Sequence, residues 1–366
     1  MTEASHPAMT PSFPAGTRVT VLAGGTGGHI FPGLAVAEVL RRAGAKVSWL
    51  GTPHGLENRL VPPAGIELQR VAIRGLRGRG LRGWLSAPWR ISTAIVQSWK
   101  ILRSQRPRCV LSMGGYAAGP AGIAARLLRI DLVVHEQNAV AGWTNRLLAP
   151  LARRVCTGFP GVLAGARVTG NPVRPAISAL PEPGSRFQHR TGPLRLLVIG
   201  GSQGAAVFNT VVPEALARLP AENRPETRHQ AGAQVQSAID NYKKAGVEAQ
   251  VAEFVDDMAE AWAWADFAIC RAGALTIAEL AAAGVPAILV PLPAAVDDHQ
   301  TANARFLEQA GGAWLMRQAG FGPAALAGRL ADLTRTELVD MAVRARACAR
   351  PDAAEQVAQA CAEACR

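Results

Sequence analysis

Short runs of Val, Ile and Leu alternate along this chain with longer stretches whose apolar positions recur at helical spacing. That alternation predicts parallel sheets covered by helices. In the first half the predicted strands are "RVTVLAG", "KVSWLG", "RCVLSMG", "DLVVHE" and "RRVCTG". In the second half they are "RLLVIGG", "AQVAEFV", "DFAICR" and "PAILVPL". A glycine-rich turn leads from strand to helix in each half, "GGTGGH" in the first and "GGSQG" in the second, as though the pattern started over. The prediction is an α/β protein of two Rossmann-like, doubly wound parallel-sheet domains facing a cleft. In such sheets ligands bind beyond the carboxyl ends of the strands. "GGTGGH", "MGGY", "HEQN", "GGSQG", "CRAG" and "PLPAAVDDHQ" all follow predicted strands and are expected to converge there.

The chain is 366 residues long, more than one ordinary core holds. The Pro- and Gly-rich "SALPEPGSRFQHRTGP" sets a boundary near 175–192. The divisions are then a polar, disordered tail over 1–16, an N-terminal domain over 17–175 and a C-terminal domain over 176–351. The tail has no apolar run and does not read as a signal peptide. Residues 274–296, "ALTIAELAAAGVPAILVPLPAAV", are long enough and apolar enough to span a bilayer. Gly284, Pro286, Pro291 and Pro293 cut them into a helix, a turn and a short strand, so a buried unit is expected. The six cysteines show no metal-binding spacing and, most of them in apolar contexts, read as reduced, buried or incidental, in a cytoplasmic chain.

Charge changes the picture. The net charge is +12, and residues 68–130 contain twelve Lys and Arg but no Asp or Glu, so this one window holds the whole excess. Leu81, Trp84, Leu85 and Trp89 are interleaved with those arginines. Basic residues beside tryptophan suit an anionic membrane surface. A solvated arginine face over core tryptophans is the bland alternative, and no nucleic-acid motif accompanies the patch, so no nucleic-acid partner is expected.

The first glycine loop fails the dinucleotide fingerprint. Ile30 stands where the third glycine belongs, and the next strand ends in "WLGTP" without an acid for a ribose. A helix start after a glycine turn still presents N–H groups to an anion.

"AGGTGGHIFPGLAVA", "GLRGRG", "SMGGYAAGPAGIAA", "HEQNAVAGWTN", "GNPVR", "GGSQGA", "FVDDMAEAWAWAD" and "CRAGALTIAELAAAGVPAILVPLP" together closely resemble the bacterial N-acetylglucosaminyltransferases of peptidoglycan synthesis. The likeness runs from about residue 17 to the end. It implies a GT-B glycosyltransferase that moves GlcNAc from UDP-GlcNAc to the C4 hydroxyl of the muramyl sugar on lipid I (undecaprenyl-pyrophosphoryl-MurNAc-pentapeptide). The anomeric centre inverts and lipid II results. It further implies an N-terminal domain facing acceptor and membrane, a C-terminal domain holding the nucleotide sugar, and a final helix, 352–366, crossing back onto the first domain. The enzyme would work peripherally on the cytoplasmic face of the inner membrane, without a cofactor. Rival readings are another UDP-sugar transferase or a UDP-GlcNAc epimerase of the same fold, an NAD-dependent oxidoreductase, or a non-catalytic basic protein binding membrane or nucleic acid.

Roles follow from the same likeness. His29 is the candidate base for the attacking hydroxyl; the alternative is a helix-capping or substrate-contacting imidazole. Thr26, Gly27 and Gly28 match positions that contact the UDP-sugar, and Asn138 would reach sugar hydroxyls unless it only closes an Asx-turn. Ser202 and Arg174 would face the diphosphate and Arg271 the nucleotide, though either arginine could instead form a salt bridge. Val255 would meet uracil through its backbone, and Gln300 the donor sugar. Ala274, Leu275, Thr276, Ile277, Ala278 and Glu279 would wrap the nucleotide, with Glu279 on the ribose hydroxyls. The competing reading of Thr276 and Glu279 is a capping box. No D-x-D motif is present, and Asp256-Asp257 reads as a helix cap, so transfer without a metal ion is expected.

Overall fold

The computed structural model describes residues 11–73, 87–201 and 204–366. They fall into two compact units. Unit 1 runs to Arg174 and takes back Arg350–Arg366; unit 2 is Pro175–Ala349.

Unit 1 is built on seven parallel strands in the order β3-β2-β1-β4-β5-β6-β7. They are β1 Arg18–Ala23, β2 Lys46–Gly51, β3 Glu67–Arg70, β4 Cys109–Gly114, β5 Asp131–Glu136, β6 Arg154–Thr157 and β7 Arg167–Val168. Helices cover both faces, so the central strands are apolar throughout instead of alternating. Val19, Val21, Trp49 and Leu111 belong to the core on one face, and Leu22, Leu50, Val110 and Leu132 to the core on the other. Register sets Val21 between Trp49 on β2 and Leu111 on β4. Helix Gly27–Arg42 is pressed onto Trp49 at Gly33, where a Cβ would lie 2.7 Å from the indole. The helix Ala353–Ala364 puts Val357, Ala358 and Cys361 into the same core.

Unit 2 repeats that order with six parallel strands, β10-β9-β8-β11-β12-β13. They are β8 Arg195–Ile199, β9 Glu226–Gln230, β10 Gln250–Ala252, β11 Phe267–Cys270, β12 Ala287–Leu289 and β13 Ala313–Leu315. The apolar stretch 274–296 forms helix Ala274–Ala283, a left-handed Gly284 cap and β12. Among the described residues no helix is long and apolar enough to cross a membrane.

The structure departs from the sequence reading in two places. Strands β3, β7, β9 and β13 were not expected. Three of them are short sheet edges, and β9, "ETRHQ", is polar although it lies between two other strands. The disordered tail expected over 1–16 does not extend to its end. Phe13 packs against the unit 1 core, and the Thr17 hydroxyl donates to the Pro14 carbonyl. The Pro- and Gly-rich stretch at the expected boundary is structured. It contains helices Pro175–Ser178 and Pro183–Phe187, and Arg186 donates to the carbonyls of Ala283 and Gly284.

Candidate active site

Strand order reverses between β1 and β4 in unit 1 and between β8 and β11 in unit 2. Each glycine turn therefore sits at a topological switch point, where doubly wound sheets open a crevice.

In unit 1, β1 runs into Gly24 and Gly25, the latter at φ +96°. Helix Gly27–Arg42 then begins with Thr26 as its N-cap, and that cap receives no side-chain bond. The turn is held from below by Glu57, a fully buried carboxylate that sequence reasoning missed. Glu57 accepts from the Gly25 N–H at 3.1 Å, the Thr52 N–H at 2.6 Å and the Thr52 hydroxyl at 2.7 Å. Gly51 and Gly55 have no room for a Cβ because that carboxylate fills it. Those glycines flanking one acid were its only signal in the sequence.

The end of β4 closes over this turn. Gly115, at φ +90°, approaches so closely that a Cβ would lie 2.3 Å from the Gly24 carbonyl oxygen. At Gly114 a Cβ would lie 3.2 Å from the imidazole of the half-buried His29. His29 reaches in turn to the end of β5, where its Nδ1 lies 3.0 Å from Gln137 Oε1. Thr26, Gly27, Gly28 and His29 thus share one turn and meet "GGY" and "HEQN".

Asn138 follows directly. Its N–H and side-chain amide both donate to Glu136 Oε1, at 2.9 and 3.2 Å. Glu136 is 2% exposed, and its other oxygen accepts from Gly142 N–H and Asn145 Nδ2. It fixes the 138–142 loop, another role not read from the sequence. Arg174 lies with its guanidinium 5.7 Å from the Phe31 ring, on the helix that starts at Gly27.

In unit 2 the turn after β8 needs its glycines for close approach. A Cβ on Gly200 would lie 2.5 Å from the Ala205 nitrogen, and one on Gly204, at φ +73°, 2.4 Å from the Ala231 carbonyl oxygen. Ser202 lies outside the described residues. Helix Ala206–Ala217 follows, and helix Ala274–Ala283 begins after the neighbouring strand β11. Neither carries an acid in its first turn. Their first N–H groups have no acceptor within the helix and suit an anion.

Helix Ala274–Ala283 has Gly273 as its N-cap, so Thr276 is inside the first turn and Glu279 in the second. The capping-box reading of that pair is thereby excluded. Glu279 is 5% exposed and accepts the Trp262 indole N–H at 3.2 Å. Ala274 and Ile277 are buried, whereas Leu275, Thr276 and Ala278 are half-buried. Asp257 Oδ1 accepts from the Glu260 N–H at 2.9 Å and caps helix Met258–Trp264, just after the half-buried Val255.

Among the described residues Arg271 forms no salt bridge; it donates to the carbonyls of Val290 and Pro291 and to Gln318 Oε1. Burial pulls its pKa down. Gln300 accepts the Leu292 N–H through Oε1 at 2.9 Å, beside Asp297 and Asp298, both in left-handed backbone.

Of the expected membrane residues, Leu81, Trp84 and Leu85 lie outside the described residues. Trp89 is 79% exposed. Helices Ala118–Leu127 and Trp143–Leu148, in contact with one another, expose Ile123, Leu127, Trp143 and Leu147 beside Arg126 and Arg146. That second apolar group was missed because its helices read as ordinary amphipathic cover.

Comparison with known proteins agrees with this layout. Residues 19–157 match the glycosyltransferase family 28 N-terminal domain, and residues 195–357 match the family 28 C-terminal domain. A protein of Alkalilimnicola ehrlichii named UDP-N-acetylglucosamine–N-acetylmuramyl-(pentapeptide) pyrophosphoryl-undecaprenol N-acetylglucosamine transferase is 57% identical over 95% of this chain and 99% of its own. The protein of the same name from Bordetella pertussis is 55% identical over 95% and 98%. The crystal structure of Acinetobacter baumannii MurG superposes with a TM-score of 0.83 at 41% identity, covering 95% of this chain and 99% of that one.

Proposed function

The chain belongs to glycosyltransferase family 28, and from that premise we propose that it carries out the transfer its relatives are named for. It is a UDP-GlcNAc-dependent N-acetylglucosaminyltransferase with two Rossmann-like domains of the GT-B type. GlcNAc passes from UDP-GlcNAc to the C4 hydroxyl of the muramyl sugar of lipid I, with inversion, to give lipid II. What carries the reading is the pair of switch-point turns, one holding the His29 imidazole and the other flanked by helix starts free of acids.

Inversion in one displacement needs a base on the attacking side and charge stabilisation on the leaving side. His29 takes the proton of the C4 hydroxyl as that oxygen bonds to C1 of GlcNAc. The bond from C1 to the β-phosphate oxygen breaks, and its electron pair leaves on UDP. The N–H groups of Ala274, Leu275 and Thr276, with Ser202 and the guanidinium of Arg174, are proposed to bind that diphosphate. Glu279 holds the ribose hydroxyls, Val255 the uracil, and Gln300 and Asn138 the sugar. Thr26, Gly27 and Gly28 shape the acceptor side of the donor sugar, while Arg271 braces the ends of β11 and β12 around the nucleotide.

Lipid I is membrane-borne, so unit 1 is proposed to dock peripherally on the cytoplasmic face of the inner membrane. The arginines of 68–130 and the exposed Trp89, Leu127, Trp143 and Leu147 support that contact. Each basic residue near an anionic surface adds about 1 kcal/mol of attraction. Two assays test the proposal. Radiolabel should pass from UDP-GlcNAc to a short-chain lipid I analogue, and to no product without it. The protein should also pellet with anionic vesicles and be released by high salt. Equal pelleting with neutral vesicles would remove the electrostatic contact.

A further inference from the structure

We infer that Gln137 is a positioning residue that fixes the tautomer of His29, leaving the Nε2 lone pair bare for the incoming hydroxyl. The inference rests on His29 as the base, and on a chain of hydrogen bonds whose direction can be read from one end to the other.

The chain begins at Gly170, whose carbonyl oxygen can only accept. It lies 2.9 Å from His135 Nε2, so that nitrogen carries a proton. His135 is fully buried, and burial pulls its pKa to about 4, so the ring is neutral at physiological pH. A neutral imidazole has one N–H, and His135 Nδ1 is therefore a bare acceptor.

The amide of Gln137 comes next. Its Nε2 lies 3.0 Å from His135 Nδ1 and 3.1 Å from the His135 main-chain oxygen. Both of those atoms accept only. The nitrogen end of the amide must face them, and the oxygen end must face away. Gln137 Oε1 then meets His29 Nδ1 at 3.0 Å and can only accept. In the neutral ring His29 Nδ1 therefore bears the proton, and Nε2 is left bare.

Reversing the direction at any link would require a carbonyl oxygen to donate, so the network has one polarity. It is also rigid. Gln137 is 2% exposed, and its main-chain oxygen accepts Asn171 Nδ2 at 2.9 Å. Gly170 O takes a second bond, from the Thr169 hydroxyl at 3.1 Å. The second nitrogen of an imidazole is set by what the first one meets. Here the partner is an uncharged amide oxygen, which orders the ring without a buried negative charge beside it.

The test uses full-length protein labelled with ¹⁵N-histidine, with His29→Ala to assign the His29 signals. In the unaltered protein, long-range ¹H–¹⁵N correlation should give His29 a protonated Nδ1 and a bare Nε2, and His135 the opposite. A protonated Nε2 on neutral His29 would overturn the inference, whatever any variant does. Gln137→Met removes both ends of the relay while keeping length. It should shift His29 toward the Nε2–H tautomer and lower kcat by roughly 10²-fold, less than the ~10⁴ seen when a catalytic imidazole is held wholly in the wrong tautomer. KM for UDP-GlcNAc should stay within about twofold. Unchanged His29 signals, or a raised KM with unchanged kcat, would also overturn it. Failure of the base reading looks different: His29→Ala would keep its activity while the tautomer of the unaltered protein stayed as described.

Discussion

Unit 1 and unit 2 run their central strands in the same order and set a glycine turn after the first of them, but their strand ends hold different kinds of groups. At the ends of β1 and β5 in unit 1, buried polar side chains bond largely to one another and to the glycine turn. Glu57 takes up Gly25, Glu136 takes up Asn138 and Asn145, and Gln137 joins His135 to His29. In unit 2 the corresponding side chains bond mostly to main chain: Arg271 to two carbonyls, Gln300 to an N–H, Asn303 to the Ala272 carbonyl. Side-chain networks orient protons, whereas helix starts and ordered backbone receive anions. In the proposed transfer one fold is thus equipped twice, once to steer a proton and once to grip a phosphate.

That contrast breaks if both units control the same kinetic parameter. The largest expected effect is on unit 1: His29→Ala should lower kcat at least 100-fold, within the range of a lost general base, and leave KM for UDP-GlcNAc nearly unchanged. Steady-state transfer kinetics measure both.

The two buried histidines sharpen the contrast further. Burial pulls His135 in unit 1 and His229 in unit 2 to about 4, from 6.5. A folded-state pKa below the unfolded one means the unfolded chain binds more protons between those values. Stability is then full above pH 6.5 and declines as pH falls toward 4, by roughly 3 kcal/mol for each histidine. Urea titrations across that range should show the decline. Replacing His229, whose Nδ1 meets the Tyr242 hydroxyl, should remove part of it without altering kcat. Replacing His135 should alter both.

The smallest effect belongs to unit 2. Glu279→Ala should raise KM for UDP-GlcNAc about tenfold, equivalent to roughly 1.4 kcal/mol, with kcat close to unchanged. A comparable fall in kcat would move Glu279 onto the proton-steering side.

The sequence made some of this plain and hid the rest for identifiable reasons. Strands such as β1, β4 and β5 announce themselves because a sheet covered on both faces needs continuous apolar runs. Strand β9 lies inside its sheet but reads "ETRHQ", and its buried Thr227, His229 and Gln230 belie the apolar rule. The glycine turns and the motifs after β5 and β11 were legible as local strings. Glu57 was not, because its partners Thr52 and Gly25 come together only through the fold. Gln137 stood inside a quoted motif, but the direction of its amide depends on Gly170, 33 residues downstream and placed by β7. Single sites with local chemistry could be read in advance; networks spanning three strand ends could not.

The return of Ala353–Ala364 into the unit 1 core has a consequence for biosynthesis. A nascent chain emerging from the ribosome exposes 174 residues of unit 1 whose hydrophobic face is still missing Val357 and Cys361. Unit 2, translated later, is the first to have all of its own residues available. In chain order, then, unit 2 has all of its own residues before unit 1 does, and the half bearing the imidazole waits for residues that follow unit 2.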